Sequence, residues 1–289
     1  MRQKKPKEPF TAAEYERAAA HLTEARFPLS DYAQSLRELP QSEPFAVYTY
    51  TASECLRALE SKDDPRRLIK AARRAGDVVD RTNKWMGNTV LNPAGQTLTY
   101  SCSAGCHYCC RIRVNALMPE VASLIDYIET HFSTEERDSV REAVESFLQT
   151  VSSMTPKQRF LQPILCPLNK GGLCSVYDVR PVLCRTHHSF DARRCELADA
   201  HLDQDISIPQ DPMRQACGSA ALQALKDVTA FMEMDDRSLE LPEAIWAGLN
   251  TASLTSSIFT ELNLLDSAFK PEIDAAIESL GRGITRQVR

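Results

Sequence analysis

The sequence predicts a mainly α-helical protein with little or no sheet, organised around a looped, cysteine-rich segment. Three observations lead there. Apolar residues recur at three- and four-residue spacing in segments that open on capping boxes, Thr11 with Glu14, Thr51 with Glu54 and Ser133 with Glu136. The chain lacks the alternating strands and helices that a doubly wound or barrel sheet requires. Seven of the ten cysteines fall in two short blocks on either side of a pair of helical segments.

Bulk properties narrow the class. A chain of 289 residues can bury one large core or two small ones. With 43% apolar and 25% charged residues it resembles a globular protein, not a disordered one. No apolar run approaches the ~18–20 residues of a membrane-spanning helix, so no membrane partner is expected. The basic stretch Met1–Phe10 is not followed by the apolar region of a secretory signal, which points to the cytoplasm, where thiols stay reduced. A net charge of −5 argues against general nucleic-acid binding. In that setting ten cysteines read as metal ligands, redox groups or core residues before disulfides.

The elements follow in order. Residues 11–27 form a helix with Tyr15, Ala18, Ala19, Leu22 and Ala25 at helical spacing, stopped by Pro28. Asp31–Leu39 is a second, short helix ended by Pro40. Pro44–Tyr50, rich in aromatic and β-branched residues, reads as extended. The Thr51 capping box opens a helix to about Ser61, with Cys55 on its apolar face as a core residue. Asp64-Pro65 starts a helix running to near Trp85. Its buried stripe is Leu68, Ile69, Ala72, Ala75 and Val79. The other face carries Arg66, Arg67, Lys70, Arg73 and Arg74, a solvated face or a dock for an acidic partner.

Asn92-Pro93-Ala94-Gly95 is a turn, and Thr97–Tyr100 a short extended lead into the first cysteine block. Pro119–Phe132 and the helix opened by Ser133 should form an antiparallel hairpin that brings the two blocks together. Residues 163–190 read as loop, with one helical turn near Val176–Arg180. Asp211-Pro212 caps a helix carrying Met213, Cys217, Ala220, Ala224, Val228 and Phe231, so Cys217 is a core residue. Short helices follow around 242–249, 254–268 and 271–280, then the basic tail Arg282–Arg289. The chain thus divides into a helical region 1–95, a cysteine-cluster region 96–195 and a helical region 196–289, packed separately or as one domain.

The first block spaces Cys102, Cys106, Cys109 and Cys110 as C-x3-C-x2-C-C, and the second holds Cys166, Cys174 and Cys184. Thiolates suit zinc and iron–sulfur clusters. Short gaps let one tightly curled loop supply several ligands, and Gly105 permits that curl. Neighbouring side chains diverge, so Cys109 and Cys110 sit more easily on different metals, or with one thiol left over. Seven thiols exceed the four of one structural zinc. The options are zinc with spare thiols, two sites, or an iron–sulfur cluster with extra cysteines nearby. His107, His187 and His188 are further candidate ligands, Cys195 is an ambiguous one, and Arg111, Arg113, Arg180 and Arg185 could offset a negatively charged centre.

Residues 102–190 resemble a cysteine-cluster family described as zinc- or iron-chelating, which includes bacterial flagellin lysine N-methylases. Cys102, Cys106, Cys109, Cys110, Cys166, Pro167, Cys174, Tyr177, Arg180, Pro181, Cys184 and Arg185 fall in register with it. The resemblance implies a metal centre. Through the methylase members it also implies S-adenosylmethionine and a protein substrate, although no Gly-rich loop after a strand is present. Cys102-x3-Cys106-x2-Cys109, with Tyr108 before the last cysteine, separately resembles the radical S-adenosylmethionine signature. That enzyme class needs βα units after the motif, and here a helical hairpin follows. The function expected first is therefore metal binding through the two blocks, as zinc or an iron–sulfur cluster. A lysine N-methyltransferase and a radical iron–sulfur enzyme are the alternatives.

Overall fold

The computed structural model describes residues 9–250, except 40–42, 65, 92–93, 156–157, 159–161, 163, 203 and 235. The expected helices at 254–268 and 271–280, the basic tail, most of Met1–Phe10, and Pro40 and Pro65 lie outside the described residues. The described part is mainly helical, with a few short antiparallel strands. Its helices are α1 (Ala12–Glu24), α2 (Asp31–Arg37), α3 (Glu43–Leu59), α4 (Arg67–Met86), α5 (Met118–His131), α6 (Thr134–Ser152), α7 (Val182–Thr186), α8 (Ala192–Ala200), α9 (Pro212–Phe231) and α10 (Leu241–Asn250). Three two-stranded ladders pair β1 (Thr89–Leu91) with β2 (Thr97–Thr99), β3 (Asn115–Leu117) with β6 (Ser238–Glu240), and β4 (Asn169–Lys170) with β5 (Leu173–Cys174).

Local chemistry sets the helix starts. Thr11 and Ser133 make full capping boxes with Glu14 and Glu136, satisfying amides that a helix end leaves open. Asp211 accepts from the Met213 and Arg214 amides at the start of α9, where Pro212 needs no donor.

One segment departs from the sequence reading. Pro44–Tyr50 is not extended, and the Thr51 capping box does not form. Both lie inside one continuous helix, α3. Val47, Tyr48, Ala52, Cys55, Leu56 and Leu59 bury along its length, so a helical stripe overrides the β-propensity of the aromatic and β-branched residues. Tyr48 can be buried there because its hydroxyl donates to Asp227 on α9 at 2.6 Å.

Two apolar clusters hold the molecule. One joins α1–α4 to α9, with α3 packed on both α4 and α9. The other joins α5, α6 and α10, with Leu68 of α4 touching both clusters. Between the cysteine blocks the chain does run through α5 and α6, but α10 packs against each of them. Gly248 lets α10 close on α5, since a Cβ there would lie 2.7 Å from Ile125 Cδ1. The N-terminal and C-terminal stretches therefore interleave in space around the cysteine segment.

Candidate metal centre

The first block hangs from the β1–β2 hairpin. Ser101 donates its amide to Ser189 O at 2.9 Å and its hydroxyl to Phe190 O at 2.7 Å, tying the block to residues just before α8. The loop then folds tightly. Gly105 takes a left-handed φ of +89°, and the Cys106 amide donates to Ser103 O at 3.0 Å. A 3-10 turn, Tyr108–Arg111, carries Cys109 and Cys110.

The second block meets the first through the backbone. The Cys166 amide donates to Cys110 O at 2.8 Å. The β4–β5 hairpin turns on Gly171 and Gly172, both left-handed, and sets Asn169 opposite Cys174. Its tip touches the first block, because a Cβ on Gly172 would stand 3.6 Å from Gly105 O and 4.0 Å from His107 Nδ1.

Cys184 sits on α7, a five-residue helix that sequence reasoning took for loop. Such a short helix is marginal alone, so its neighbours hold it. It packs on α4 and α9 at two glycines. A Cβ at Gly76 would lie 2.9 Å from Arg185 Nε, and one at Gly218 2.8 Å from Thr186 Cβ. The buried Glu120 of α5 accepts the Val182 amide at 2.7 Å and the Leu117 amide at 2.9 Å, linking α7 to the start of α5. Arg185, buried beneath, donates to Asp80, to Arg180 O at 2.9 Å and to Asp178 O at 2.6 Å.

The structure thus brings parts of both blocks into one region. Cys110, Cys166, Cys174 and Cys184 lie within electrostatic reach of one another. Burial raises the thiol of Cys166 to about 12 and pushes Cys174 and Cys184 up as well. Cys110 goes the other way, below the usual thiol range, chiefly through its hydrogen bond with the thiol of the adjacent Cys109. Cys102, by contrast, neighbours Cys106 and Cys195, and its sulfur accepts the Ser189 amide at 3.2 Å. All ten cysteines are free thiols.

Among the described residues, no group of three or more His, Cys, Asp or Glu side chains is arranged to hold a metal ion as it stands. A change of χ1 rotamer carries a cysteine sulfur by about 3 Å, so the proximity of these backbones matters more than the present rotamers. The donor set suits a soft metal. One polar atom beside the blocks lacks a partner: His187 Nε2 is buried without one, three residues after Cys184. The Asn169 side chain lies against Cys110 and favours its thiolate.

The other candidates sort clearly. His188 is committed elsewhere: Nδ1 lies 2.8 Å from Thr186 O and Nε2 accepts the Asp211 amide at 2.7 Å, so its ligand role is withdrawn. His107 Nδ1 lies 3.0 Å from Gly105 O, and its ring stacks on Tyr108. The four arginines pair with carboxylates, Arg111 with Asp199, Arg113 with Glu240, and Arg180 and Arg185 with Asp80. Arg180 and Arg185 still lie close enough to Cys174 to favour its thiolate. Cys55 and Cys217 are buried core residues.

The basic face of α4 finds its acidic partner within this chain. Arg66 and Arg73 both donate to the buried Asp126 of α5, at 2.6 and 2.7 Å. Lys70 pairs with Asp64, and Arg74 with Glu54.

Sequence reasoning left Cys195 ambiguous and missed the seat of α7. A helical signal for α8 was available in Asp191, which caps it by accepting the Arg193 and Arg194 amides. Comparison with protein-family models, curated proteins and solved structures finds no match to this chain.

Proposed function

We propose that this protein binds a metal, as zinc or as an iron–sulfur cluster, through its two cysteine blocks. The observation that carries the reading is the 2.8 Å hydrogen bond from the Cys166 amide to Cys110 O. It joins residues far apart in sequence, and Cys174 and Cys184 lie within electrostatic reach of the same pair. The bound group would supply a cross-link between the α4–α9 seat of Cys184 and the loop of the first block. The cytoplasm, where thiols stay reduced, is the proposed location. No helix of the described residues is long and apolar enough to cross a membrane.

The S-adenosylmethionine readings rest on sequence resemblance alone. The radical enzyme needs a parallel βα framework, and the described strands pair only as antiparallel two-stranded ladders. Anaerobic purification with an absorption spectrum and metal and sulfide analysis tests the main reading. Bound zinc in a colourless sample, or iron with acid-labile sulfide in a brown one, supports it, and a metal-free protein overturns it. Titration calorimetry with S-adenosylmethionine tests the alternatives, and absence of binding removes the methylase and the radical enzyme together.

A further inference from the structure

We propose that Cys110 and Cys166 close into a reversible disulfide, so that the junction of the two cysteine blocks is a redox-sensitive cross-link. The bond needs no metal. It needs only two residues whose backbones the fold already joins.

Geometry selects this pair. The Cys166 amide donates to Cys110 O at 2.8 Å, and among the described residues no other backbone hydrogen bond runs from one cysteine to another. In paired strands such a bond holds facing Cα atoms about 4.5–5.5 Å apart, inside the ~4.4–6.8 Å span of disulfides. The side chains agree with the backbones. Cys110 lies against the Asn169 side chain. Asn169 in turn donates its own amide to Cys166 O at 2.9 Å. The Cys110 sulfur therefore lies over the turn that Cys166 opens. Both thiols are free and partly exposed, so a small oxidant reaches them.

Other partners are placed less well. The thiols of Cys109 and Cys110 are hydrogen-bonded to each other. Their Cα atoms, however, are consecutive and stand only about 3.8 Å apart, short of the disulfide span. Cys174 is held in the β4–β5 ladder and Cys184 on α7. Among the described residues, neither bonds its backbone to the first block.

The oxidant is a hydroperoxide, hydrogen peroxide being the simplest. The Cys110 sulfur attacks one peroxide oxygen and the O–O bond breaks. The thiol proton leaves with the other oxygen as water, and Cys110 becomes a sulfenic acid. The Cys166 sulfur then attacks the sulfenic sulfur and the S–O bond breaks. The Cys166 proton leaves with the hydroxyl as a second water. The two thiols lose two electrons and the peroxide gains them. A thiol reductant reverses the bond by exchange and is itself oxidised to a disulfide. The closed bond would clamp the chain around the α5–α6 hairpin and withdraw both sulfurs from any metal.

The test is peptide mapping by mass spectrometry of the folded full chain, as purified and after a strong chelator, treated with hydrogen peroxide and then alkylated. Trypsin releases Cys166 as the single cysteine of residues 160–170, and Cys110 within residues 85–111. The expected product is these two peptides joined, lighter by two hydrogens than their sum, with fragmentation placing the bond at Cys110. Dithiothreitol should separate them. Cys110→Ser and Cys166→Ser should each abolish the linked species, and Cys109→Ser should keep it. The proposal is overturned if Cys166 is alkylated while other cysteines oxidise, if the linked species survives Cys110→Ser, or if peroxide oxidises no thiol. The chelator removes any metal that would shield the thiols, so that arm decides. Fragmentation of the wild-type product locates the bond even where a serine variant folds poorly. Metal content is measured separately, so failure here leaves the metal-binding reading standing.

Discussion

Cys217 is buried and Cys184 partly buried, and their surroundings differ. Cys184 neighbours Cys110, Cys166 and Cys174, whereas Cys217 lies among the apolar residues of the α1–α4 and α9 cluster. The two should therefore respond differently to replacement by alanine. Cys184→Ala and Cys106→Ala should lower metal content and thermal stability together. Cys55→Ala and Cys217→Ala should leave metal content unchanged and cost about 1–2 kcal/mol of packing. Metal analysis beside thermal unfolding separates these outcomes, and a uniform response would contradict the assignment. A second residue-scale effect concerns pH. Arg81 hydrogen-bonds Glu14 and holds its carboxyl at about 2, below the usual 4.5. The folded value is the lower one, so this stabilisation is complete above pH 4.5 and fades as pH falls toward 2. The pair is partly exposed and contributes at most ~1 kcal/mol. Acid unfolding of Glu14→Gln should show less of this pH dependence than the wild type.

The elements show where sequence reading succeeds and where it stops. The capping boxes at Thr11 and Ser133 are local, and both formed. The Thr51 box failed because burial of Val47, Tyr48 and Ala52 carries α3 straight through it. The positions of the cysteine blocks were legible, since cysteine spacing is a short-range pattern. The seat of α7 was not, because Gly76 and Gly218 acquire meaning only when α4 and α9 are packed. Gly218→Ala tests that seat. Its Cβ would collide with Thr186 and displace α7, so a loss of about 1–3 kcal/mol with reduced metal content is expected. Calorimetric unfolding and metal analysis would detect it. Glu120→Gln tests the other support. Its two carboxylate oxygens each accept a backbone amide, and glutamine retains only one acceptor oxygen. A loss of about 1–3 kcal/mol should appear in denaturant unfolding.

For the whole molecule, the cysteine segment lies at the junction of its two apolar clusters. Cys184 is carried by a helix resting on α4 and α9, while Cys166, Cys174 and Cys184 themselves touch the α5, α6 and α10 cluster. The metal proposed there would link parts of the fold that sequence distance separates, which no local pattern reveals. The α4–α5 ion pairs at Asp126 brace the same junction from its other side. The most direct test of this account is the thiol reactivity of the anaerobically purified, folded protein before and after a strong chelator. The account predicts stoichiometric metal, block thiols protected from a thiol reagent, and a chelator that releases the metal, exposes those thiols and lowers the unfolding temperature. A metal-free protein whose block thiols react at once, with an unfolding temperature indifferent to chelator, would contradict it.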